Sequence, residues 1–179
     1  KDQFSSNTAA ISPFMLRGVG AEYTLIGHSD NRGEGDTDKM LKSKIKYALK
    51  NNLKVIFCIG ENKTEKNKNK TLGVLRRQLT NTLEKKFNKN NIIVAYEPIW
   101  SIGTGKIPNS KELQKITLHI KKVLKNIFKN KSPLVIYGGS VDGNSVQEFK
   151  EIKEIDGFLI GGASKSSKKF IDIMKNYYR

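Results

Sequence analysis

The stretch NIIVAYEPIWSIGTGK occupies residues 91–106 and decides how the rest of the chain is interpreted. Its first part, IIVAY, is a short continuous apolar run, which is typical of a strand buried in a parallel sheet. A carboxylate, Glu97, follows at once, and a charge at the end of a buried strand is costly unless it has a partner or a task. Pro98, Trp100 and two glycines come next. This order predicts a stiff loop that closes over a site as a lid.

Four more apolar runs of similar length occur in the chain, at residues 22–27, 54–60, 133–138 and 157–162. Segments with apolar residues at steps of three and four predict helices at about 12–18, 38–51, 71–87, 110–129, 144–150 and 167–178. Asn109 and Glu112 have capping-box spacing at the start of the fourth helix. The alternation predicts an α/β fold with a parallel sheet of about five strands and six helices. We expect one domain over 1–179, either an open doubly wound sheet or an incomplete (β/α)8 barrel.

In both architectures the functional residues gather at the carboxyl ends of the strands. His28 follows the first run, Glu97 follows the third, and glycine pairs follow the fourth and fifth at 138–139 and 161–162. Each feature has an ordinary structural explanation: a hydrogen-bonded histidine, an ion-paired glutamate and tight turns. Their occurrence at successive strand ends favours one shared site.

The glycine pairs leave backbone N–H groups open to close approach, and such amides before a helix favour phosphate. Neither a P-loop nor a dinucleotide-binding glycine motif is present, so a nucleotide is not expected. A carboxylate and an imidazole beside a phosphate site indicate proton transfer next to a carbonyl group. Glu97 would take a proton from carbon, His28 would donate a hydrogen bond to the carbonyl oxygen, and residues 98–105 would exclude water.

The chain is strongly basic, with 33 Lys and Arg against 17 Asp and Glu and a formal charge of +16. Nucleic acid, an anionic metabolite or plain solvent could each explain this charge. The densest cluster, at 63–70, has no interleaved aromatic residue for base stacking, so we expect no nucleic acid partner. One cysteine and two histidines offer no metal ligand set, and we expect no cofactor. No apolar run approaches the roughly 18 residues that span a bilayer, so we expect no membrane contact, and the single cysteine favours a reducing cytoplasm.

Five segments in order resemble motifs of the triosephosphate isomerase family. They are IGHSDNR (26–32), VIFCIGE (55–61), AYEPIWSIGTGK (95–106), YGGSV (137–141) and DGFLIGGAS (156–164). The resemblance runs nearly end to end and implies a TIM-barrel fold. It also implies the interconversion of dihydroxyacetone phosphate and glyceraldehyde 3-phosphate, a step of glycolysis and gluconeogenesis, without a cofactor.

Carried over to this sequence, the resemblance makes Glu97 the catalytic base and His28 the electrophile. The backbone amides of four residues would hold the phosphate, and Tyr137 and Ser140 would hydrogen-bond the closed lid. The four phosphate-binding residues are Gly103, Ser140, Gly161 and Gly162. A homodimer is expected from the family.

The chain departs from the family pattern in three places. It matches only the last five strands of the eight-stranded barrel, so we expect it to be incomplete at its N-terminus and to lack the family's catalytic lysine. Residues 5–10 differ from the usual dimer loop, and Asp30 and Asn31 replace a Glu-Arg pair after the histidine motif. Two alternatives to an active isomerase therefore remain: an inactive remnant of that enzyme, or a basic nucleic-acid-binding module.

Overall fold

The computed structural model describes residues 11–178, so the predicted loop at the N-terminus and the altered dimer loop at 5–10 lie outside the described residues. The α-helices are α1 Pro13–Gly18, α2 Ser29–Gly33, α3 Asp38–Lys50, α4 Lys63–Asn67, α5 Thr71–Thr82, α6 Ser110–Ile127 and α7 Ser167–Tyr178. The strands are β1 Tyr23–Ile26, β2 Lys54–Ile59, β3 Ile92–Tyr96 and β4 Leu134–Tyr137. Short 3₁₀ helices cover Lys89–Asn91, Ser145–Phe149 and Gly162–Lys165.

The four strands form one parallel sheet in the order β1-β2-β3-β4. The register aligns Ile26 with Phe57, Ile59 with Tyr96, and Tyr96 with Tyr137, so the carboxyl ends of all four strands meet along one edge. This is the α/β architecture with parallel strands and crossover helices that the alternation of elements predicts.

One face of the sheet carries the hydrophobic core. On β2, Val55, Phe57 and Ile59 point to this face and are fully buried together with apolar residues of α3 and α5. Continuous apolar runs are typical of strands that are buried on both faces, but the second face is incompletely covered here, because Leu25 of β1 and Leu134 of β4, which point to that face, are 48% and 55% exposed. Only near the carboxyl ends, at Cys58 and Ala95, is the second face also buried.

The predicted fifth strand, 157–162, is reduced to a single bridge between Tyr137 and Phe158. Its backbone still runs beside β4, with the Leu159 N–H donating to the Tyr137 carbonyl at 2.9 Å. Two local features end the pairing. The Asp156 carboxylate accepts a hydrogen bond from the Val135 N–H at 2.8 Å. Strand β4 ends at Tyr137, so residues after Leu159 have no residue of β4 to pair with.

The predicted helices differ from those of the structure mainly in the residues at which they end. The third predicted helix stops at Thr82, although Leu83 and Phe87 are buried as its periodicity predicts. The segment 144–150 is a 3₁₀ helix, and the short helices α2 and α4 were not predicted as separate elements. At α6 only half of the capping box forms, because the Glu112 carboxylate binds Lys66 instead of the cap.

Candidate active site

Glu97 follows β3 at the centre of the carboxyl edge and is 7% exposed. Its N–H donates to the Ile59 carbonyl at 2.7 Å, which extends the pairing of β3 with β2 by one residue. Glycines on both neighbouring strand ends make room for it. A Cβ atom on Gly138 would lie 2.7 Å from the Glu97 Cγ, and one on Gly60 would overlap the Glu97 carbonyl. Close packing therefore restricts the Glu97 side chain on the Gly138 side and its backbone on the Gly60 side.

The Glu97 carboxylate is buried without full compensation. Among residues 11–178, no group hydrogen-bonds its Oε2 atom. Burial raises the pKa of this carboxyl, and the nearby Cys58 thiol and His28 ring, which lower the pKa, do not offset the effect. A buried carboxyl with a raised pKa and a free oxygen is chemically suited to accept a proton.

His28 lies directly beside this carboxylate, because the carboxyl ends of β1 and β3 share one edge. Its Nε2 is 3.9 Å from Oε1 of Glu97. Its Nδ1 accepts a hydrogen bond from the Asp30 N–H at 3.3 Å, at the start of α2. This bond places the proton of a neutral ring on Nε2, the nitrogen that faces the site.

Arg32 fixes the turn that presents His28. Its Nε donates to the Gly27 carbonyl at 2.8 Å and its guanidinium pairs with Asp38 at 3.1 Å. Gly27 has a φ of +83°, and a Cβ atom there would come within 3.0 Å of the Cys58 carbonyl, so only glycine fits. After His28, Arg32 forms an ion pair with Asp38, while the Asp30 carboxylate lies 3.4 Å from Nδ1 of the histidine.

The predicted lid is closed onto the loop after β4 through Ser101. The Ser101 Oγ lies 3.0 Å from the Tyr137 hydroxyl, and the Ser101 carbonyl accepts from Ser140 Oγ at 2.7 Å. The Gly105 N–H in turn donates to Ser140 Oγ at 3.0 Å. A Cβ atom on Gly139 would come within 2.6 Å of Ser101 Oγ, so this contact also needs a glycine. Tyr137 and Ser140 therefore hold the lid, as the resemblance implies.

The first part of the lid is anchored to Glu61, which follows β2 and is fully buried. Trp100 Nε1 donates to Glu61 Oε1 at 2.8 Å, and the Tyr96 hydroxyl lies 3.2 Å from Oε2. Burial raises the pKa of Glu61, while the hydrogen bonds from Trp100 and Tyr96 lower it. The two donors satisfy a carboxylate that would otherwise be buried and unpaired.

A cavity of about 560 Å³ lies beside the second part of the lid, at Gly103 and Gly105. Gly103, Ser140, Gly161 and Gly162, the four residues predicted to hold phosphate, all line it. Neither His28 nor Glu97 is among the described residues that line this cavity. The carboxylate instead adjoins it through Gly138, which packs on Glu97, and through the next residue, Gly139, which lines the cavity.

The sequence and the fold are both similar to those of known proteins. The family model for triosephosphate isomerase matches residues 2–177. The chain is 40% identical over 172 residues to the triosephosphate isomerase of Yarrowia lipolytica, covering 94% of this chain and 69% of that protein. It is 38% identical over 173 residues to that of Alkaliphilus oremlandii, covering 93% and 70%. This chain belongs to the triosephosphate isomerase family.

The fold agrees with the family. The crystal structure of triosephosphate isomerase from Bartonella henselae superposes with a TM-score of 0.90 and 32% identity, and the match covers 99% of this chain and 74% of that chain. The four-stranded parallel sheet is therefore part of a TIM barrel, and the prediction of an incomplete barrel is confirmed. The sheet face with exposed Leu25 and Leu134 is the face that a TIM barrel turns inward.

Sequence reasoning missed three residues that support the candidate site. It did not predict that Glu61 would bind Trp100 of the lid, or that Ser101 would contact Tyr137 of β4. Gln78 of α5 binds both the N–H and the carbonyl of Gly60 at 3.0 Å each, and so fixes the glycine that packs on Glu97. A signal existed for Gln78, because it is a polar residue between the apolar residues Leu75 and Leu79 on the buried stripe of α5.

Helix α7 also contributes to the cavity. Lys169, Asp172 and Asn176, which are spaced by three and four residues, line it from one face of the helix. The Asn176 amide donates to the Gly143 carbonyl at 2.8 Å and ties α7 to the loop after β4. Within residues 11–178, no group of three or more His, Cys, Asp or Glu residues could hold a metal ion. None of the helices in that range is long and apolar enough to cross a bilayer.

Proposed function

We propose that this chain uses Glu97 and His28 to interconvert dihydroxyacetone phosphate and glyceraldehyde 3-phosphate, the activity implied by its family. The observation that supports this most strongly is the buried Glu97 carboxylate. Its Oε2 has no hydrogen-bond partner in the described part of the chain, and its Oε1 is 3.9 Å from the ring nitrogen of His28. A base and a hydrogen-bond donor are thus side by side.

The reaction is a proton transfer between neighbouring carbons. Glu97 removes a proton from the carbon next to the substrate carbonyl, while the Nε2–H of His28 donates a hydrogen bond to the carbonyl oxygen as it becomes negative. The hydroxyl proton of the enediolate moves to the former carbonyl oxygen, and the protonated Glu97 returns its proton to the adjacent carbon, which converts ketose into aldose. The pKa of Glu97 is raised by burial, so the carboxylate is a stronger base than an exposed glutamate.

The phosphate of the substrate would lie in the cavity lined by Gly103, Ser140, Gly161 and Gly162. Backbone N–H groups can approach a phosphate closely where side chains are small or absent. The lid contacts of Ser101 with Tyr137 and Ser140 would keep water away from the enediolate. In this proposal the reacting carbons would lie between the cavity and the carboxylate.

The cellular setting is part of the same proposal. We expect the chain to act in the cytoplasm, to need no cofactor and to form a homodimer. The loop that differs from the family's dimer loop, at 5–10, is the region to examine in a test of self-association. Sedimentation at several protein concentrations measures it directly.

The experiment is a coupled isomerase assay on this chain, with binding of 2-phosphoglycolate, an anion that resembles the enediolate, measured in parallel. We expect turnover that falls by roughly 10²-fold or more in Glu97→Asp, because a shorter arm moves the base from the substrate. Phosphoglycolate affinity should stay within a factor of about three, since the cavity is lined by other residues.

The outcomes separate the alternatives. Equal turnover in wild type and Glu97→Asp would show that another group is the base. Phosphoglycolate binding without turnover would identify an inactive remnant of the enzyme. The absence of both in a folded chain would contradict the proposal as a whole.

A further inference from the structure

Trp100, in the first part of the lid, is held from two sides. Its indole nitrogen donates to the buried Glu61 at 2.8 Å. The ammonium group of Lys66, from α4, lies 3.9 Å from the centroid of its ring. The same ammonium is 2.8 Å from Oε1 of Glu112, in the first turn of α6. One lysine therefore links two helices outside the lid to the lid's largest side chain.

Protein contacts fix the position of the Lys66 side chain, which is mostly shielded from solvent. Its side chain is 22% exposed, and α4 begins with a complete capping box between Asn62 and Glu65. Glu112 is fixed by α6, whose first turn is capped by Asn109 at 2.9 Å. An exposed ion pair contributes little on its own, but an ammonium group held over an indole ring also gains a cation–π attraction.

A neighbouring lysine provides an internal comparison. Lys63 is on the same short helix, and its ammonium lies 5.2 Å from the centroid of the same ring. Its charge is thus farther from the indole than that of Lys66, and no ion pair of Lys63 is recorded in the described part of the chain. The two lysines have the same charge and the same flexible side chain. They differ in the distance from their ammonium group to the Trp100 ring and in whether an ion pair holds that group.

We propose that Lys66, held by Glu112, is a positioning residue that keeps Trp100 against Glu61 and thereby favours the closed lid. Opening the lid moves Trp100 away from Glu61 and Lys66 together, so the attraction of Lys66 stabilises the closed state relative to the open one. The kinetic consequence rests on the proposed isomerase function, whereas the effect on Trp100 does not.

The chain itself offers a direct probe, because Trp100 is its only tryptophan. Fluorescence of the full chain, excited where tryptophan absorbs and tyrosine does not, therefore reports the lid. In Lys66→Met, which keeps a long apolar side chain and removes the charge, we expect acrylamide quenching of Trp100 to rise by about twofold or more. Phosphoglycolate should bind about 3–10-fold more weakly, because closure then costs more. The matched control, Lys63→Met, should change each quantity by less than about 1.5-fold.

Two further variants distinguish positioning from simple packing. Lys66→Arg should restore wild-type quenching, since a guanidinium can bind both the ring and Glu112. Glu112→Gln should give an intermediate effect, and it keeps the assay decisive if Lys66→Met does not fold. Added salt should increase quenching of Trp100 in wild type but not in Lys66→Met, because only the wild type has the Lys66–Glu112 ion pair that salt would screen.

The proposal is overturned if Lys66→Met and Lys63→Met behave alike, or if Lys66→Met leaves both quenching and phosphoglycolate affinity unchanged. These results are independent of catalysis. A chain without isomerase activity whose Trp100 responds to Lys66→Met would refute the proposed function and keep this inference. An active chain whose Trp100 ignores Lys66 would do the reverse.

Discussion

The two halves of the candidate site are built in different ways. The half around Glu97 lies in the middle of the sheet, where the residue is 7% exposed, Gly138 packs on its side chain and Gly60 packs on its backbone. The half around Gly161 and Gly162 lies at the outer side of β4, where both glycines are exposed and a Cβ atom on either would meet nothing within 4 Å. The first half is set by side-chain packing and the second by the path of the backbone. Substitutions in the two halves should therefore affect different kinetic constants.

The largest effect is expected from Gly138→Ala. The added methyl group would lie 2.7 Å from Cγ and 3.0 Å from Oε1 of Glu97, so the carboxylate must move. A displacement of about 1 Å in a reacting group can lower kcat by roughly 10²-fold. Steady-state kinetics measure kcat and KM, and Gly73→Ala in α5, where a Cβ atom has open space, is the control that should leave both unchanged. An unchanged kcat in Gly138→Ala would show that the position of Glu97 is not critical.

The second effect, about 10-fold, is expected from Gly161→Ala in the other half of the site. Gly161 has a φ of −90° and a ψ of −94°, which lies outside the helical region, so alanine should lower stability by roughly 1 kcal/mol. Its methyl group would enter the phosphate cavity and hinder the approach of the anion to the amides. We expect a higher KM with nearly constant kcat. A fall in kcat with constant KM would contradict the division of the site into two halves.

Sequence reasoning succeeded in the first half because the strands are continuous apolar runs, and the residue after such a run lies at the sheet edge. His28 and Glu97 could be placed together from this rule alone, before their 3.9 Å separation was known. Sequence reasoning failed to predict the contacts that join segments far apart in the chain. The pairing of Glu61 with Trp100 and of Gln78 with Gly60 spans helices and loops, and no local pattern encodes the partner.

The fifth apolar run shows a different limit. Residues 157–162 have the composition of a strand, but a strand also needs a neighbour with free backbone groups. Asp156 occupies the Val135 N–H, and β4 ends at Tyr137, so only one bridge forms. The local pattern predicts the tendency to pair, whereas the length of the neighbouring strand decides how much pairing occurs.

A smaller effect, about 3–5-fold on kcat/KM, is expected from Tyr137→Phe, which lies between the two halves. The hydroxyl contacts Ser101 Oγ at 3.0 Å, while the ring packs 5.0 Å from that of Phe149 and would stay in place. The loss of one hydrogen bond of this kind costs about 1 kcal/mol, which favours the open lid. Substrate kinetics and Trp100 quenching should change together. A change in kcat/KM without a change in quenching would show that the hydroxyl acts on something other than the lid.

The smallest effect concerns stability, and it tests whether the Glu97 half is strained by its own charge. A carboxyl whose pKa is raised by folding binds its proton more tightly in the folded state, so the folded state is favoured at acid pH and loses stability as pH rises through the raised pKa. Glu97→Gln has no proton to lose and keeps nearly the same shape. At neutral pH we expect the variant to melt a few degrees higher than wild type, and below the pKa of the unfolded chain the two should melt together. Glu61, whose pKa is also raised, is present in both proteins, so its contribution cancels in the difference. Thermal unfolding at several pH values measures the effect, and a variant that is less stable at neutral pH would show that the Glu97 charge is compensated after all.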